Sequence, residues 1–489
     1  MEITGQMIQA FLPILLVAAT VVLLMLFIAV KRHPWFNPAL GVLGLNIAFV
    51  SLYWTYKVVP IAVTPLFLID GTSIFFMGLT LFTTLACLTL THAYIERFQK
   101  NREEIYLLMI TAALGGMIMV CSIHLVSLFI GLETLSLSLY GLIGYTYTKK
   151  YSLEAAVKYM VLSAASSGFM LFGMALLYAQ FGDLSFTSLR FTGMPDQNAI
   201  YLDVAATLLV MVGFAFKLSL VPFHMWTPDV YEGAPAPVGA FLATTSKVVV
   251  MAVLLRLLAT PTMQVMRSGP LVLSLTVMAA ASMLAGNLLA LKQSNIKRML
   301  GYSSIAHFGY MMIGVLMFIR QPMQAFYIVG MYLTVYSVTA IGSFGVIALM
   351  SRSDEIRDAD SLQDYRGLFW RRPLLTSVFT VTLLSLAGVP FTAGFIGKFY
   401  VSLGAIMSQQ FYLLIFLLLG SAIGVYFYLR TMVTLFLVTP GMRSFDADMH
   451  WGEHAGGLMV LGVAFLVLAF GVYPHALMWL MQHTFSARG

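Results

Sequence analysis

Charge is what this sequence has least of. Only 10% of its 489 residues are Asp, Glu, Lys or Arg, where a soluble domain carries about 25%. With 60% hydrophobic residues and a mean hydropathy of +0.90, that scarcity excludes a soluble globular domain. It makes the chain an all-α polytopic membrane protein, its backbone polar groups satisfied within helices. Cysteine is nearly missing as well. Cys87 and Cys121 both lie inside apolar runs, too few for a disulfide framework or a metal cluster, and we read them as small apolar fillers. No G-x-G-x-x-G opens a βα unit, there is no P-loop, and no Cys/His set has metal spacing. The chain itself is therefore expected to bind no cofactor and no metal. Its 32 methionines are dispersed through apolar runs as packing. The first apolar run, 7–30, exceeds a ~7–15-residue signal core and has no positive charge before it, so no cleaved signal is expected. The formal charge of +7 bears on membrane topology and suggests no nucleic-acid partner.

What is present is a succession of apolar runs. A helix needs about 20 such residues to cross a bilayer. On that measure the chain has fourteen spans, at 7–30, 39–58, 73–94, 105–121, 124–147, 158–181, 203–226, 237–258, 270–291, 298–318, 324–350, 374–403, 410–436 and 456–483. Splitting 105–147 in two rests on its length and on the polar CSIH at 121–124. An even number of spans puts both termini on one side. One face then holds Lys31, Arg32, Arg97, Lys100, Arg102, Lys149, Lys150, Lys158, Lys292, Lys297, Arg298, Arg352, Arg357, Arg366, Arg371, Arg372, Arg430 and Arg443. The other holds Lys57, Arg190, Arg256, Arg267, Arg320 and Arg488. The positive-inside rule makes the richer face cytoplasmic and puts both termini outside. The turn 351–372, with five acids and five bases, reads as a solvated cytoplasmic crossover.

Four charges survive this sorting at membrane depth: Glu133, Lys217, Lys247 and Lys398. Each costs at least ~2.5–3.5 kcal/mol on insertion scales, so each needs a reason. Lys217 precedes Val221-Pro222-Phe223 in the seventh span, and Val389-Pro390-Phe391 in the twelfth precedes Lys398. Proline lacks the amide hydrogen of a helix interior, so both spans should break there. Five spans, an odd number, separate the two breaks, so the segments cross the bilayer in opposite directions. Paired broken helices in inverted repeats are the mark of ion-translocating transporter folds. The expected organisation is three spans in 1–104, a five-helix repeat in 105–258, its inverted copy in 270–436, and a last span in 437–489.

Glu133 lies ~14 Å into its span, Lys217 ~21 Å and Lys247 ~15 Å at 1.5 Å per residue, near the bilayer middle. An isolated carboxylate there would take up a proton. A partner cation keeps it charged, and moving that cation makes a switchable proton site. We therefore pair Glu133 with Lys217, the alternative being a glutamate that only joins helices. Burial disfavours the ammonium form of Lys217 and Lys247, and neither reaches an interface easily to snorkel; Lys398 has a less certain depth. Backbone groups freed at Pro222 and Pro390 must face protein or water, and an aqueous cavity is expected beside them. His307, in GYSSIAHFGY, and His224, near a helix end, titrate near neutrality as free side chains and are candidates for a relay. Ser163, Ser166, Ser167, Tyr302, Ser303, Ser304, Tyr332 and Tyr336 offer either proton carriage through water or polar contacts between helices.

Several stretches resemble one family. GLETLSLSLYGL, EAAVKYMVLSAASSGFMLFG, GFAFKLSLVPFHMWTPDVYEGAPAPV, SNIKRMLGYSSIAHFGY and LLSLAGVPFTAGFIGKFY are similar to the antiporter-like membrane subunits of respiratory NADH-quinone oxidoreductase (complex I), with WTPDVYEGAPAPV pointing to the N-type branch. The resemblance implies fourteen helices with inverted five-helix repeats and proton pumping driven by quinone reduction elsewhere. It implies that NADH, FMN, iron–sulfur clusters and quinone belong to partner subunits of the membrane and peripheral arms. It also implies roles: Glu133 and Lys217 as the paired groups, Lys247 as the central relay lysine, Lys398 as the terminal one. The alternatives are an Mrp-type cation/proton antiporter subunit using the same helices, and an architectural subunit whose charges only fix packing.

Overall fold

The computed structural model describes residues 4–95, 103–189, 197–260, 269–319, 321–351, 357–437, 445–448 and 450–486. Arg97, Lys100, Arg102, Arg190, Arg267, Arg320, Arg352, Arg443 and Arg488 of the charge sorting lie outside them. The chain runs α1 (Gly5–Val30), α2 (Phe36–Tyr56), a hairpin of β1 (Ile61–Thr64) and β2 (Phe67–Ile69), α3 (Gly71–Ile95), α4 (Glu104–Cys121), α5 (Leu125–Ile143) and α6 (Lys150–Phe181). There follow α7 (Gln197–Leu218), α8 (Trp226–Gly233), α9 (Ala236–Ala243), α10 (Thr245–Ala259), α11 (Gly269–Leu291), α12 (Ile296–Leu316) and α13 (Pro322–Met350). A one-turn α14 (Leu368–Arg371) leads to α15 (Pro373–Ala387), α16 (Ala393–Met407), α17 (Phe411–Phe436), α18 (Ala455–Val472) and α19 (His475–Ser486).

Local chemistry sets many of these limits. His124 and Asn295 cap α5 and α12 by accepting backbone amides with their side chains. Pro322 and Pro373 open α13 and α15, where a missing amide hydrogen costs nothing. Gly182 closes α6 in the left-handed conformation that glycine adopts without penalty. The polar CSIH does divide the fourth span from the fifth. Among the described residues thirteen helical segments are long and apolar enough to cross a membrane, and α15 and α16 together make one further crossing.

The two five-helix units recur in the packing. α4 pairs with α5 as α11 does with α12; α6 packs on α7 and α8 as α13 does on α15 and α16. α9, α10, α12 and α13 are almost wholly buried, whereas α2, α6, α11 and α17 present Leu, Ile, Val and Phe outward.

Four expectations need correction. The eighth span is interrupted too: Thr244, at φ −112° and ψ −86°, separates α9 from α10. The fourteenth ends at Val472, and α19 is a separate helix after Pro474, its Phe485 ring against Phe75 at 5.1 Å. Arg256, in the last turn of α10, does not face solvent but is buried, donating to Asp70 at 2.7 Å, Thr72 at 3.0 Å and Ser73 at 2.8 Å. The described part of the 351–372 crossover is not a solvated loop. Asp358 and Tyr365 are buried, and the backbone is tied to the start of α12 through Ile296 N–H to Asp360 C=O (2.6 Å) and Leu362 N–H to Ser294 C=O (3.0 Å). A loop whose backbone pairs with a neighbour can bury polar groups at little cost, which residue counting does not show.

Candidate functional site

The seventh span breaks as expected, α7 stopping at Leu218 and α8 starting at Trp226. Ser219 takes a positive φ of 62°, and Ser219 N–H and Leu220 N–H turn back to the carbonyls of Phe216 and Ala215. In the twelfth, Gly388 (φ 83°) and Phe391 (φ 68°) do the same between α15 and α16. The freed amides go to serine hydroxyls: Val221 N–H to Ser282 Oγ at 2.9 Å, Gly394 N–H to Ser385 Oγ at 2.9 Å. Two of the freed amides thus find protein oxygen. A cavity of about 190 Å³ with a polar lining lies at the end of the helices, between the α8–α9 turn, the start of α12 and the crossover.

Lys217 is the penultimate residue of α7 and is buried. Its ammonium donates to Ser136 Oγ (2.7 Å), Ser163 Oγ (2.9 Å) and Tyr159 OH (3.2 Å), which accounts for all three of its hydrogens. Glu133 is not in direct ion-pair contact with it. The carboxylate instead accepts from Ser167 Oγ at 2.6 Å. The reason is helix phase. Glu133 and Ser136 sit one turn apart on α5, Ser163 and Ser167 one turn apart on α6, so Glu133 and Lys217 occupy adjacent rungs of one hydroxyl ladder.

Lys247 lies on the first turn of α10, fully buried, and donates to Ser304 Oγ at 2.8 Å. The Phe308 ring is 4.7 Å and the Tyr231 ring 5.8 Å from its nitrogen. The break at Thr244 has an electrostatic consequence. It places Lys247 at the positive end of a helix, where a cation is disfavoured, while Lys217 sits at the negative end of α7. Lys398, buried on α16, donates to the carbonyl of Ala387, the last residue of α15, at 2.9 Å, with the Tyr310 ring at 5.5 Å. A Cβ on Gly388 would stand 2.7 Å from Lys398 Cδ. Glycine suits the position for its φ, and a side chain there would push the Lys398 side chain aside.

His307 bridges the second half. Its Nδ1 is 2.8 Å from Tyr332 OH and its Nε2 3.4 Å from Tyr428 OH, which in turn bonds Ser303 Oγ. α12 thereby carries Ser304 at Lys247, then His307, then Tyr310 at Lys398, at a spacing of three residues that keeps them on one face. His224 lies in the break of the seventh span, its Nδ1 buried and without a hydrogen-bond partner among the described residues. Of the expected hydroxyls, Ser163, Ser167, Ser303, Ser304 and Tyr332 join these groups, and Tyr336 stacks near His307 at 5.3 Å. Ser166 bonds the Val212 carbonyl instead. Ser136, Tyr159, Tyr310 and Tyr428 were not singled out from sequence. The first three stand three or four residues from groups that were, so helical spacing could have found them; nothing in sequence points to Tyr428.

Known proteins resemble this chain over nearly its full length. Residues 122–424 match the family model described as NADH:quinone oxidoreductase/Mrp antiporter, TM. NADH-quinone oxidoreductase subunit N of Ectopseudomonas mendocina (strain ymp) is 50% identical over 487 residues, 99% of this chain and 97% of that one. A chain of respiratory complex I from Thermus thermophilus with bound Aureothin superposes with a TM-score of 0.80 at 33% identity, covering 95% of this chain and 98% of that one. A chain of the Mrp complex from Dietzia sp. DQ12-45-1b shares the fold, with a TM-score of 0.81 at 18% identity over 98% of this chain and 97% of that one. The chain belongs to the antiporter-like membrane-subunit family of NADH:quinone oxidoreductase and Mrp complexes, and within it to the membrane subunits of proton-translocating complex I.

Proposed function

We propose that this chain carries protons across the membrane through Glu133, Lys217, Lys247, His307 and Lys398, in step with quinone reduction in other subunits of the complex. The observation that carries the reading is the run of hydroxyls, imidazole and ammonium groups along the buried faces of α5, α6, α7, α10, α12 and α16. α8 spans the first gap: Trp226 packs on Tyr159, a ligand of Lys217, at 4.9 Å, and Tyr231 faces Lys247. α12 spans the second. When Glu133 moves away from Lys217, the ammonium loses its nearest counter-charge and passes its proton toward Lys247. Lys247, unfavourably placed at a helix N-terminus, hands it on through His307 to Lys398, which releases it on the far face. His224 is an accessory acceptor at the break. The polar cavity beside Glu232, Asn295 and Lys297 offers water access on the uptake side.

The same reading includes the orientation. Lys31, Arg32, Lys149, Lys150, Lys292, Lys297 and Arg298 share one face with the crossover, so that face is cytoplasmic and both termini periplasmic in the inner membrane. The units 105–258 and 270–436 act as the two half-channels, with 1–104 and 437–489 as flanking helices in contact with lipid and neighbouring subunits.

The test is Lys217→Ala in the assembled oxidoreductase in inverted membrane vesicles. NADH-driven acidification of the vesicle interior should be lost while the complex still assembles. A variant that assembles and pumps at the wild-type rate would refute the relay.

A further inference from the structure

The crossover was expected to be exposed, and what it buries has no place yet in the relay. Asp358 is 5% exposed and accepts from Lys297 at 2.8 Å, Lys149 at 3.1 Å and Tyr94 OH at 2.7 Å. Burial alone would raise this carboxyl, but the two ammonium groups and the phenol hold it well below the usual carboxylate range. It is therefore an anion at every physiological pH, a fixed tie and not a switch.

The three donors belong to three different elements. Lys149 is the residue just before α6, Lys297 is on the first turn of α12, and Tyr94 is at the end of α3. The other hydrogen bond of Lys297 goes to the carbonyl of Ala234, at 2.6 Å, in the turn that joins α8 to α9. α6 supplies Tyr159 and Ser163 to Lys217 and Ser167 to Glu133. α12 supplies Ser304 to Lys247 and carries His307. The crossover backbone is itself strapped to the start of α12.

We propose that Asp358 is a positioning residue of the relay: its buried carboxylate pins together the ends of the two helices that supply the partners of Lys217 and of Lys247, deeper in the protein than the part-exposed Asp229 that also bridges them through Lys158 and Arg298, and so holds the two half-sites in register. This inference rests on the relay proposed above. It assigns the crossover a task in proton transfer, because a displacement of about 1 Å between donor and acceptor can cost on the order of 100-fold in rate. The geometry also predicts which arm is separable. Without Lys149, the pair with Lys297 survives, and α6 alone loses its tie to the crossover.

The experiment compares Lys149→Gln, Asp358→Asn, Asp358→Glu and the double variant Asp358→Asn/Lys297→Met in the assembled complex. Pumping is measured per complex, counted by its flavin content. Lys149→Gln and Asp358→Asn should assemble and pump roughly ten-fold more slowly, with Asp358→Glu recovering part of the rate. The double variant removes the more deeply buried of the two ammonium groups that Asp358→Asn leaves without a counter-charge, and with it most of the cost of an uncompensated buried charge. It should assemble but not regain pumping. Wild-type pumping per complex in Lys149→Gln, or in the double variant, overturns the proposal. If Asp358→Asn fails to assemble, Lys149→Gln decides alone. Lys217→Ala run in parallel separates the two readings: loss there with normal pumping in Lys149→Gln sinks only the Asp358 inference, whereas full pumping in Lys217→Ala sinks the relay itself.

Discussion

The two broken spans share a backbone device and differ in how they hold their lysine. At Lys217 three hydroxyls surround the ammonium and a carboxylate stands one helical turn away. At Lys398 the nitrogen has a backbone carbonyl at 2.9 Å and an aromatic face, and no acid among the described residues forms an ion pair with it. Hydrogen bonds to a charged group contribute about 1.5–3 kcal/mol each, so the first ammonium is much the better held. The difference teaches that one broken-helix element can surround its lysine with several hydroxyls and a nearby carboxylate, or with little more than a carbonyl. Under the proposed relay the well-held site starts the transfer and the sparsely held one ends it.

The sharpest way to break the comparison lies between the two sites. Lys247→Met removes the group that both halves address, and should reduce NADH-driven pumping by at least ~100-fold, the scale of a lost proton-transfer group. Vesicle acidification normalised to flavin content reads this directly; a smaller loss would mean that the halves work without a common lysine. Next in size is Glu133→Gln. Losing a charge interaction of about 1.5–3 kcal/mol should slow pumping ~10–100-fold, and a neutral result would remove the acid as what distinguishes the first half. Tyr310→Phe keeps the ring that faces Lys398 and deletes only the hydroxyl that accepts from Asn287 at 2.8 Å, so a change of about two- to five-fold or less is expected, matching a neutral hydrogen bond of ~0.5–1 kcal/mol. A loss as large as that of Glu133→Gln would show that the second half is held by more than a carbonyl and a ring.

A separate test reads stability instead of pumping, at the anchor that ties Asp70, just before α3, to Arg256 on α10 of the first half. Burial raises the Asp70 carboxyl, but Arg256 and the hydroxyl of Thr72 outweigh it and bring it down to about 2 from an ordinary 3.8. A lowered carboxyl contributes stability in full above the ordinary value and loses it as pH falls toward the folded one. The Asp70–Arg256 tie should therefore leave thermal stability unchanged between about pH 5 and 8 and weaken only below about pH 4. Asp70→Asn should lower the unfolding midpoint in the neutral range, since breaking a buried pair costs about 3–5 kcal/mol, and should abolish that acid limb. An unchanged acid limb in Asp70→Asn would assign the pH dependence to another carboxylate.

Much of this was legible in the chain. The membrane class, the limits of all spans but the sixth, seventh and fourteenth to within a few residues, the breaks at Pro222 and Pro390 and the burial of Lys217, Lys247 and Lys398 follow from composition, run length and proline chemistry. Where sequence reading failed, the cause was spatial. Thr244 has no proline or glycine beside it to announce a break in the eighth span. Arg256 and Asp358 look like ordinary interfacial charges until helices that are far apart in sequence bring Asp70, Lys149 and Lys297 against them. Glu133 was expected in contact with Lys217, but the helix phases of α5 and α6 interpose Ser136 and Ser163.

The sequence by itself determined which groups could not be left in lipid, because the cost of a charge at membrane depth depends on the residue and its distance along the span. Only the tertiary structure decided what each charge meets, since partners are set by helix packing between residues dozens to hundreds of positions apart. That is why Lys217, Lys247 and Lys398, alike as lone lysines in apolar runs, prove unlike as sites: one at a helix C-terminus among hydroxyls, one at a helix N-terminus beside a single serine, and one on a bare carbonyl.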